Sequence, residues 1–513
     1  MPRARVVPRG GSGQAWLISQ PRGFGARGGP ARNPRLIHGR STPTLSPMSA
    51  SDATGPKRVT VMGLGRFGGG LGAARWLATQ GWQVLVTDRK PASEFADAIK
   101  ELRPLIDAGR VTLHLGEHKA EDFTDCDMVI ANPAVPRPWE NPYLLAARGA
   151  GVRVETEIGL LIAALPAGII SVGVTGSAGK STTSAMIFHA LSGLLGAKGA
   201  ARVFMGGNIG GSLLEQLDEL RDGDVVVLEL SSAMLHWIGQ RGWSPRVAVW
   251  TNLAPNHLDW HGTLDHYAGS KAELLRHQRG GDLSVLGQGL DDAGGPAHGV
   301  GAAQRVTVSA GLARAVSVPG AHNQLNAAMA TEAALGVLKR VGQERANLRE
   351  RVEGLVAGFT GLEHRLQLCH IDARGRRYFN DSKCTTLAAL KQALSALGED
   401  RAGASMQHLH VIVGGDAKGQ DLSEIGAIAR EIGGLACIGR DGPAIFAACE
   451  ARSNVKLFET LEEAVPAMIA LLPSDGVLLL SPACASWDQF PNFEHRGRRF
   501  VELCRQHAGN NPS

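Results

Sequence analysis

Short apolar runs, each about the length of a strand, alternate along this chain with longer stretches whose apolar residues recur at helical spacing. The run Arg58–Met62 predicts a first strand. It is followed by the turn Gly63–Gly68, a helix to about Thr79, and a second strand, Gln83–Thr87, ending at Asp88. From Ala167 to Val174 another run predicts a strand, with a helix over Ala185–Leu195 beyond a Gly/Ser/Thr-rich turn. Strands are expected at Asp224–Leu230 and Val247–Trp250, and a helix from Ala321 through Leu338. Beyond Tyr378–Lys383 come a helix and the strands His410–Val413 and Gly476–Leu480. Repeated strand–helix alternation predicts an α/β fold in three domains. They are read as a Rossmann-like unit over 57–150, a P-loop ATPase-like unit with a parallel or mixed sheet over 151–361, and a second Rossmann-like unit over 362–513.

In each unit glycine or polar residues stand just past a strand's end, where open parallel sheets hold ligands. The clearest case is Thr175-Gly176-Ser177-Ala178-Gly179-Lys180-Ser181-Thr182. Glycines there let backbone N–H groups face phosphate oxygens, Lys180 reaches the outer phosphates, and Ser181 offers a hydroxyl to Mg²⁺. The following helix N-terminus adds partial positive charge. The usual leading glycine is displaced by one position, to Gly173, but the core of the motif is intact and predicts ATP binding. Gly63, Gly65 and Gly68 form a G-x-G-x-x-G with Asp88 twenty positions on. That pattern serves NAD, another diphosphate nucleotide, or close helix–strand packing, and the residues do not choose among them.

Glu229 ends an apolar strand after the phosphate loop, a position suited to Mg²⁺. His257 and His261 are four apart and on a helix would share a face. With no glutamate in H-E-x-x-H position and no third ligand nearby, magnesium suits His257 better than zinc. By spacing alone, Lys271 is a surface lysine.

Hydrophobic content of 44% and charged content of 20% describe a globular protein with no apolar run long enough to span a bilayer. Seven scattered cysteines, never in C-x-x-C spacing, suit a reducing cytoplasm. The net charge of +5 comes from residues 1–50, which carry eight arginines and no acid and leave −3 for the remainder. Residues 1–56 lack apolar periodicity and are expected to be a disordered basic tail. An over-extended reading frame, with the start at Met48, is preferred to a nucleic-acid arm or transit peptide.

Together these residues resemble the Mur ligases, the ATP-dependent amino-acid-adding enzymes of peptidoglycan synthesis, over about residues 57–510. The general marks are Thr175–Ser181, Gly207-Asn208-Ile209-Gly210, Leu228–Ser232, Asn256–Asp259, Ser270-Lys271, His322–Ala327 and His364-Arg365. The glutamate-adding branch is marked by Asn380–Thr385, Gly414–Lys418 and the long run Ser481–Gly497, while the Asp-Asn-Pro-type motif of the diaminopimelate- or lysine-adding branch is absent.

The resemblance implies a ligase joining glutamate, expected to be the D form, to UDP-N-acetylmuramoyl-L-alanine through an acyl phosphate. It implies ATP held by Gly176, Ser177, Ala178, Gly179, Lys180, Ser181 and Thr182, with Asn326, Arg365 and Asp381 beside adenine and ribose. Catalysis would fall to Lys180, Glu229, His257, Lys271 and Arg365. Two Mg²⁺ are implied, on Ser181 and on Glu229, His257 and Lys271, the last carrying a CO₂-derived carbamate. The first unit would bind the UDP-substrate with Gly65, Arg66 and Asp88, helped by Asn208 and His257. The third would bind glutamate with Thr385, Lys418, Ser486 and Phe493. A cytoplasmic monomer without nucleic-acid partner or membrane insertion is expected. Two departures stand out near the UDP site: Arg66-Phe67-Gly68-Gly69-Gly70 where relatives carry a small residue or hydroxyl, and Asn132-Pro133-Ala134 for Ser-Pro-Gly. Alternatives are an L-glutamate-adding variant, an NAD-dependent oxidoreductase built on Gly63–Gly68 and Asp88, and a catalytically dead scaffold.

Overall fold

A computed structural model describes residues 57–64, 69–196, 201–309, 316–318, 320–343, 345–400, 406–450 and 452–508. The expected basic tail, Gly65 and Arg66 lie outside the described residues.

The strands assemble into three sheets. The first contains β1 (Arg58–Met62), β2 (Gln83–Asp88), β3 (Val111–Leu115), β4 (Met128–Ala131) and β5 (Arg153–Glu155), in the order β3-β2-β1-β4-β5. The second contains β6 (Ile170–Thr175), β7 (Val203–Gly207), β8 (Val225–Glu229), β9 (Val247–Trp250), β10 (Leu283–Gly287) and β11 (Gln304–Val308), in the order β11-β10-β9-β6-β8-β7. All pairings in both are parallel. The third contains β12 (Gln367–Ile371), β13 (Arg377–Asn380), β14 (Leu409–Gly414), β15 (Gly434–Ile438), β16 (Val455–Leu457) and β17 (Val477–Leu480), in the order β12-β13-β17-β14-β15-β16. Only its edge strand β12 is antiparallel to its neighbour.

Parallel strands covered by helices on both faces read as unbroken apolar runs. Accordingly β8, β9, β14 and β17 are buried at every position. One core runs from the first sheet's Val61 and Val86, with Leu77 of the helix Gly69–Thr79, to Leu228 and Trp250 of the second, so these units share apolar packing. The other face of the second sheet packs on the helices Lys180–Leu195 and Ala321–Arg340. The third sheet has a core on each face.

These orders bring functional segments together at strand ends. In the second sheet the chain leaves β6 toward β7 on one side and later reaches β9 on the other, so the loop after β6 lies at a change of direction. In the third, the segments following β13, β14 and β17 come from adjacent strands. In the first, Gly63 after β1 faces Asn132 after β4. A Cβ at Gly63 would lie 3.2 Å from the Asn132 amide nitrogen, and its φ of +88° favours glycine.

Candidate active site

The segment between β6 and the helix Lys180–Leu195 is braced from below. Ser177 N donates to Asn252 O at 3.0 Å, and Ala178 N to Asn252 Oδ1 at 2.9 Å. Thr251 Oγ1 donates to Ala178 O at 2.6 Å, and Ser177 Oγ meets Tyr267 OH at 3.0 Å. Gly179 caps the helix in the left-handed region with φ +81°, and a Cβ there would lie 2.5 Å from Asn326 Oδ1. The helix therefore begins at Lys180, five residues before the first apolar position that marked it in sequence. Helical spacing could not reveal a first turn built of Ser and Thr.

Two amines converge on one carbonyl. Lys180 Nζ donates to Gly176 O at 3.0 Å, and Lys271 Nζ to the same oxygen at 2.9 Å. Lys271 is 1% exposed, which corrects the surface position suggested by its spacing. Its helix, Leu264–Arg276, turns Tyr267, Ser270, Lys271, Leu274 and Leu275 inward, and Lys271 Nζ stands 4.5 Å from the Tyr267 ring centroid. Burial, reinforced by the charge of Lys180 and opposed by Glu229, lowers the Lys271 pKa to about 7. Burial also lowers Lys180, with Glu229 opposing and Arg365 adding to the shift.

Glu229 is equally buried. Its Oε1 accepts from Asn208 Nδ2 at 2.7 Å, while Oε2 is buried without a protein partner among the described residues. Parallel pairing of β7 with β8 sets Gly207 opposite Glu229, which carries Asn208 over the carboxylate. A buried carboxylate with one oxygen unpartnered suits a cation. Ser181 is buried at the head of the helix, and Thr182 beside it is partly exposed.

His257 and His261 do not share a helical face. His257 precedes the short helix Leu258–His261 with φ 52° and is exposed, whereas His261 is buried, its Nε2 2.9 Å from Ser232 Oγ. Partial desolvation and the charges of Lys180 and Lys271 lower the His257 pKa.

On the third unit, Asp381 follows β13. Its carboxylate accepts from Leu366 N at 3.0 Å and Ser481 Oγ at 2.8 Å. Burial raises its pKa to about 6, against these bonds and the charge of Arg365. Arg365 is exposed, and its field reaches both Asp381 and Lys180.

The residues matched to glutamate binding cluster near the neighbouring strand ends. Thr385 O accepts from Gln420 Nε2 at 3.1 Å. Lys418 is exposed with φ 53°, its Nζ 3.7 Å from the Trp487 ring centroid. Ser486 is buried, and Phe493 heads the helix Phe493–His507 with its carbonyl bound by Ser382 Oγ at 2.8 Å. In the first unit both Asp88 oxygens are engaged, by Leu64 N and Lys90 N at 3.0 Å each. Asp88 thus fastens the glycine turn to the end of β2. Asn208 is exposed beyond β7. Sequence reasoning gave no role to Tyr267, Thr251, Asn252 or Arg496, although each lay within or beside a recognised motif. Their importance arises only from contacts across the fold.

Comparison with known proteins finds similarity along most of the chain. The N-terminal domain of MurD-like Mur ligases matches residues 57–156, the Mur ligase middle domain 174–295, and the Mur ligase glutamate ligase domain 364–484. The UDP-N-acetylmuramoylalanine–D-glutamate ligase of Geobacter metallireducens is 32% identical, the match covering 86% of this chain and 96% of that protein. The enzyme of the same name from a Roseiflexus species is 33% identical over 87% of this chain and 98% of its own. A crystal structure of MurF from Acinetobacter baumannii has 17% identity and a TM-score of 0.49, covering 87% of this chain and 93% of that one. With three domain matches in order along the chain and relatives above 30% identity over most of its length, the chain belongs to the Mur ligase family, most like its D-glutamate-adding branch.

Proposed function

We propose that this chain is a cytoplasmic, monomeric ATP-dependent ligase that joins D-glutamate to UDP-N-acetylmuramoyl-L-alanine in peptidoglycan precursor synthesis. The observation that carries the reading is the meeting of Lys180 and Lys271 on Gly176 O beside the half-satisfied Glu229. A buried and a half-buried amine on one glycine-loop carbonyl are a surplus of positive charge, which suits a triphosphate and its metal. The names of the relatives supply the acceptor and the amino acid. Among the described residues no helix is long and apolar enough to cross a membrane.

Gly176 to Thr182 hold ATP, with Lys180 on its outer phosphates and Asn326, Arg365 and Asp381 around the nucleoside. An oxygen of the alanine carboxylate attacks the γ-phosphorus, the bond to the bridging oxygen breaks, and ADP leaves. The glutamate amine then attacks the carbonyl carbon of the acyl phosphate. The carbon–oxygen bond to phosphate breaks, and the amine's proton passes to solvent. Lys180 and Arg365 stabilise the charge that develops on the transferred group.

Ser181 would hold one Mg²⁺, and Glu229, His257 and Lys271 a second. Bound there, Mg²⁺ would supply neutralisation of the phosphate charge. The unpartnered Glu229 Oε2 fits that use. Lys271 fits once its charge is inverted. With a pKa near 7, part of it is neutral amine, whose nitrogen bonds to the carbon of CO₂ and releases a proton, leaving an anionic carbamate. Gly65, Arg66, Asp88, Asn208 and His257 serve the UDP-substrate, and Thr385, Lys418, Ser486 and Phe493 the glutamate.

The test is phosphate release with ATP, Mg²⁺ and UDP-N-acetylmuramoyl-L-alanine, run separately with D- and L-glutamate. Product should form with the D enantiomer. Turnover with L-glutamate alone would replace this reading by the L-adding variant, and no turnover with either would overturn it.

A further inference from the structure

Arg496 is 1% exposed, and no carboxylate pairs with it among the described residues. Its Nε donates to Ser382 Oγ at 3.0 Å, and its Nη2 donates to Ser382 O at 2.8 Å and Cys484 O at 3.0 Å. Nη1 is buried without a partner and faces Gly415, where a Cβ would lie 3.2 Å away. Burial pulls the Arg496 pKa down to about 10, opposed by Cys484, Asp488 and Cys384, so the group is charged near neutrality.

Its position explains the arrangement. Ser382 follows β13, Gly415 follows β14, and Cys484 follows β17. These three segments carry Thr385, Lys418 and Ser486, and the Asp416–Ala485 bridge ties two of them directly. Ser382 Oγ accepts from Arg496 and donates to Phe493 O, so the same side chain also fixes the start of its own helix. A buried guanidinium costs desolvation that an ion pair would offset. Here the offset is three bonds to neutral groups, leaving a net positive charge in a low-dielectric site.

We propose that Arg496 is the positioning residue of the amino-acid site. Its guanidinium bonds the segments after β13 and β17, lies against Gly415 after β14, and sets behind the pocket a buried positive charge that selects a dicarboxylate amino acid over a neutral one. This rests on the reading of Thr385, Lys418, Ser486 and Phe493 as the glutamate pocket.

The experiment compares Arg496→Gln, Arg496→Lys and Ser486→Ala in the full chain, measuring Tm and the KM values for D-glutamate, ATP and the UDP-substrate. It also measures the ratio of kcat/KM for glutamate to that for glutamine. Arg496→Gln should raise the KM for glutamate about tenfold or more, the scale of lost charge-assisted bonds, with the other two KM values within about twofold. The glutamate preference should shrink in Arg496→Gln and recover in part in Arg496→Lys, which keeps the charge. An unchanged glutamate KM in Arg496→Gln, with Ser486→Ala raising it, overturns the inference and leaves the pocket assignment standing. Unchanged values in both variants overturn the two together. A parallel rise in all three KM values with lowered Tm shows a merely structural arginine and also overturns it. Should Arg496→Gln fail to fold, Arg496→Lys decides alone: the loss of its fork must raise the glutamate KM selectively, and equal effects on all three substrates overturn the inference.

Discussion

Asn208 donates to one oxygen of Glu229 at 2.7 Å and leaves the other buried and open. The bond restrains the carboxylate, whose charge acts on both Lys180 and Lys271. If Glu229 holds Mg²⁺, Asn208→Ala should lower kcat about 10- to 100-fold and raise the Mg²⁺ concentration needed for half-maximal turnover, as lost partners of metal ligands do. Titrating Mg²⁺ against turnover checks this. An unchanged Mg²⁺ dependence would remove Asn208 from the metal site and return it to the UDP-substrate alone.

Lys271→Ala should be nearly inactive and recover partly with added short-chain carboxylates, which can occupy the place of the carbamate. Carbamylation consumes the neutral amine, whose share falls as pH drops below about 7. Activity in CO₂-depleted buffer should therefore fall further at pH 6 than at pH 8, and added bicarbonate should restore it. A fully active Ala variant would refute any metal-bridging role.

The strand ends were legible in the sequence because a parallel strand covered on both faces is an unbroken apolar run, as at Val247–Trp250. The glycine-rich turn after β6 was legible because its signature lies in consecutive residues. Lys271 was not, because its burial comes from a tertiary contact with Gly176, 95 residues away. The His257–His261 spacing misled for a related reason. A left-handed residue before a four-residue helix breaks the periodicity that a shared face requires. Arg496 stood within a recognised motif, yet a lone arginine in a helix with several others carries no sign of burial.

The imidazoles of His236, His261 and His266 gather with Trp139 and Trp260 where the first and second units meet. Trp139 lies 4.7 Å from His266 and 5.3 Å from His236 between ring centroids, and Trp260 Nε1 donates to Pro133 O at 3.1 Å. Burial and mutual repulsion lower His236 to about 4 and His261 to about 3, and burial lowers His266. Between those values and the ordinary 6.5 the unfolded chain binds more protons, so stability rises with pH across that window and is lost on acidification. Glu157, raised to about 7, and Asp381, raised to about 6, oppose this trend, which is why variants are needed. Tm should fall by several degrees between pH 7 and pH 5, and His236→Gln with His261→Gln should flatten the fall. Identical slopes in the parent and the double variant would show that the cluster does not govern acid sensitivity.

Lys418 Nζ stands 3.7 Å from the centroid of the Trp487 ring, and Trp487 itself is 54% exposed. A long lysine side chain at the surface is otherwise free to sample many rotamers, so the indole face holds the ammonium in one region at a gain of about 0.5–1 kcal/mol. If that ammonium binds a glutamate carboxylate, Lys418→Ala should raise the KM for glutamate about tenfold or more, the cost of a lost charge-assisted bond. Trp487→Ala keeps the charge and removes only its support, so its effect should be smaller, about two- to fivefold. Trp487→Phe should fall between the parent and Trp487→Ala, because a smaller ring still offers a π face. The KM for ATP should stay within about twofold in all three, since the phosphate loop belongs to the second sheet. Steady-state kinetics with each substrate varied in turn distinguishes the cases. Equal changes in both KM values would place Lys418 outside the amino-acid pocket, and a Trp487→Ala effect as large as that of Lys418→Ala would mean that the indole contacts the amino acid itself.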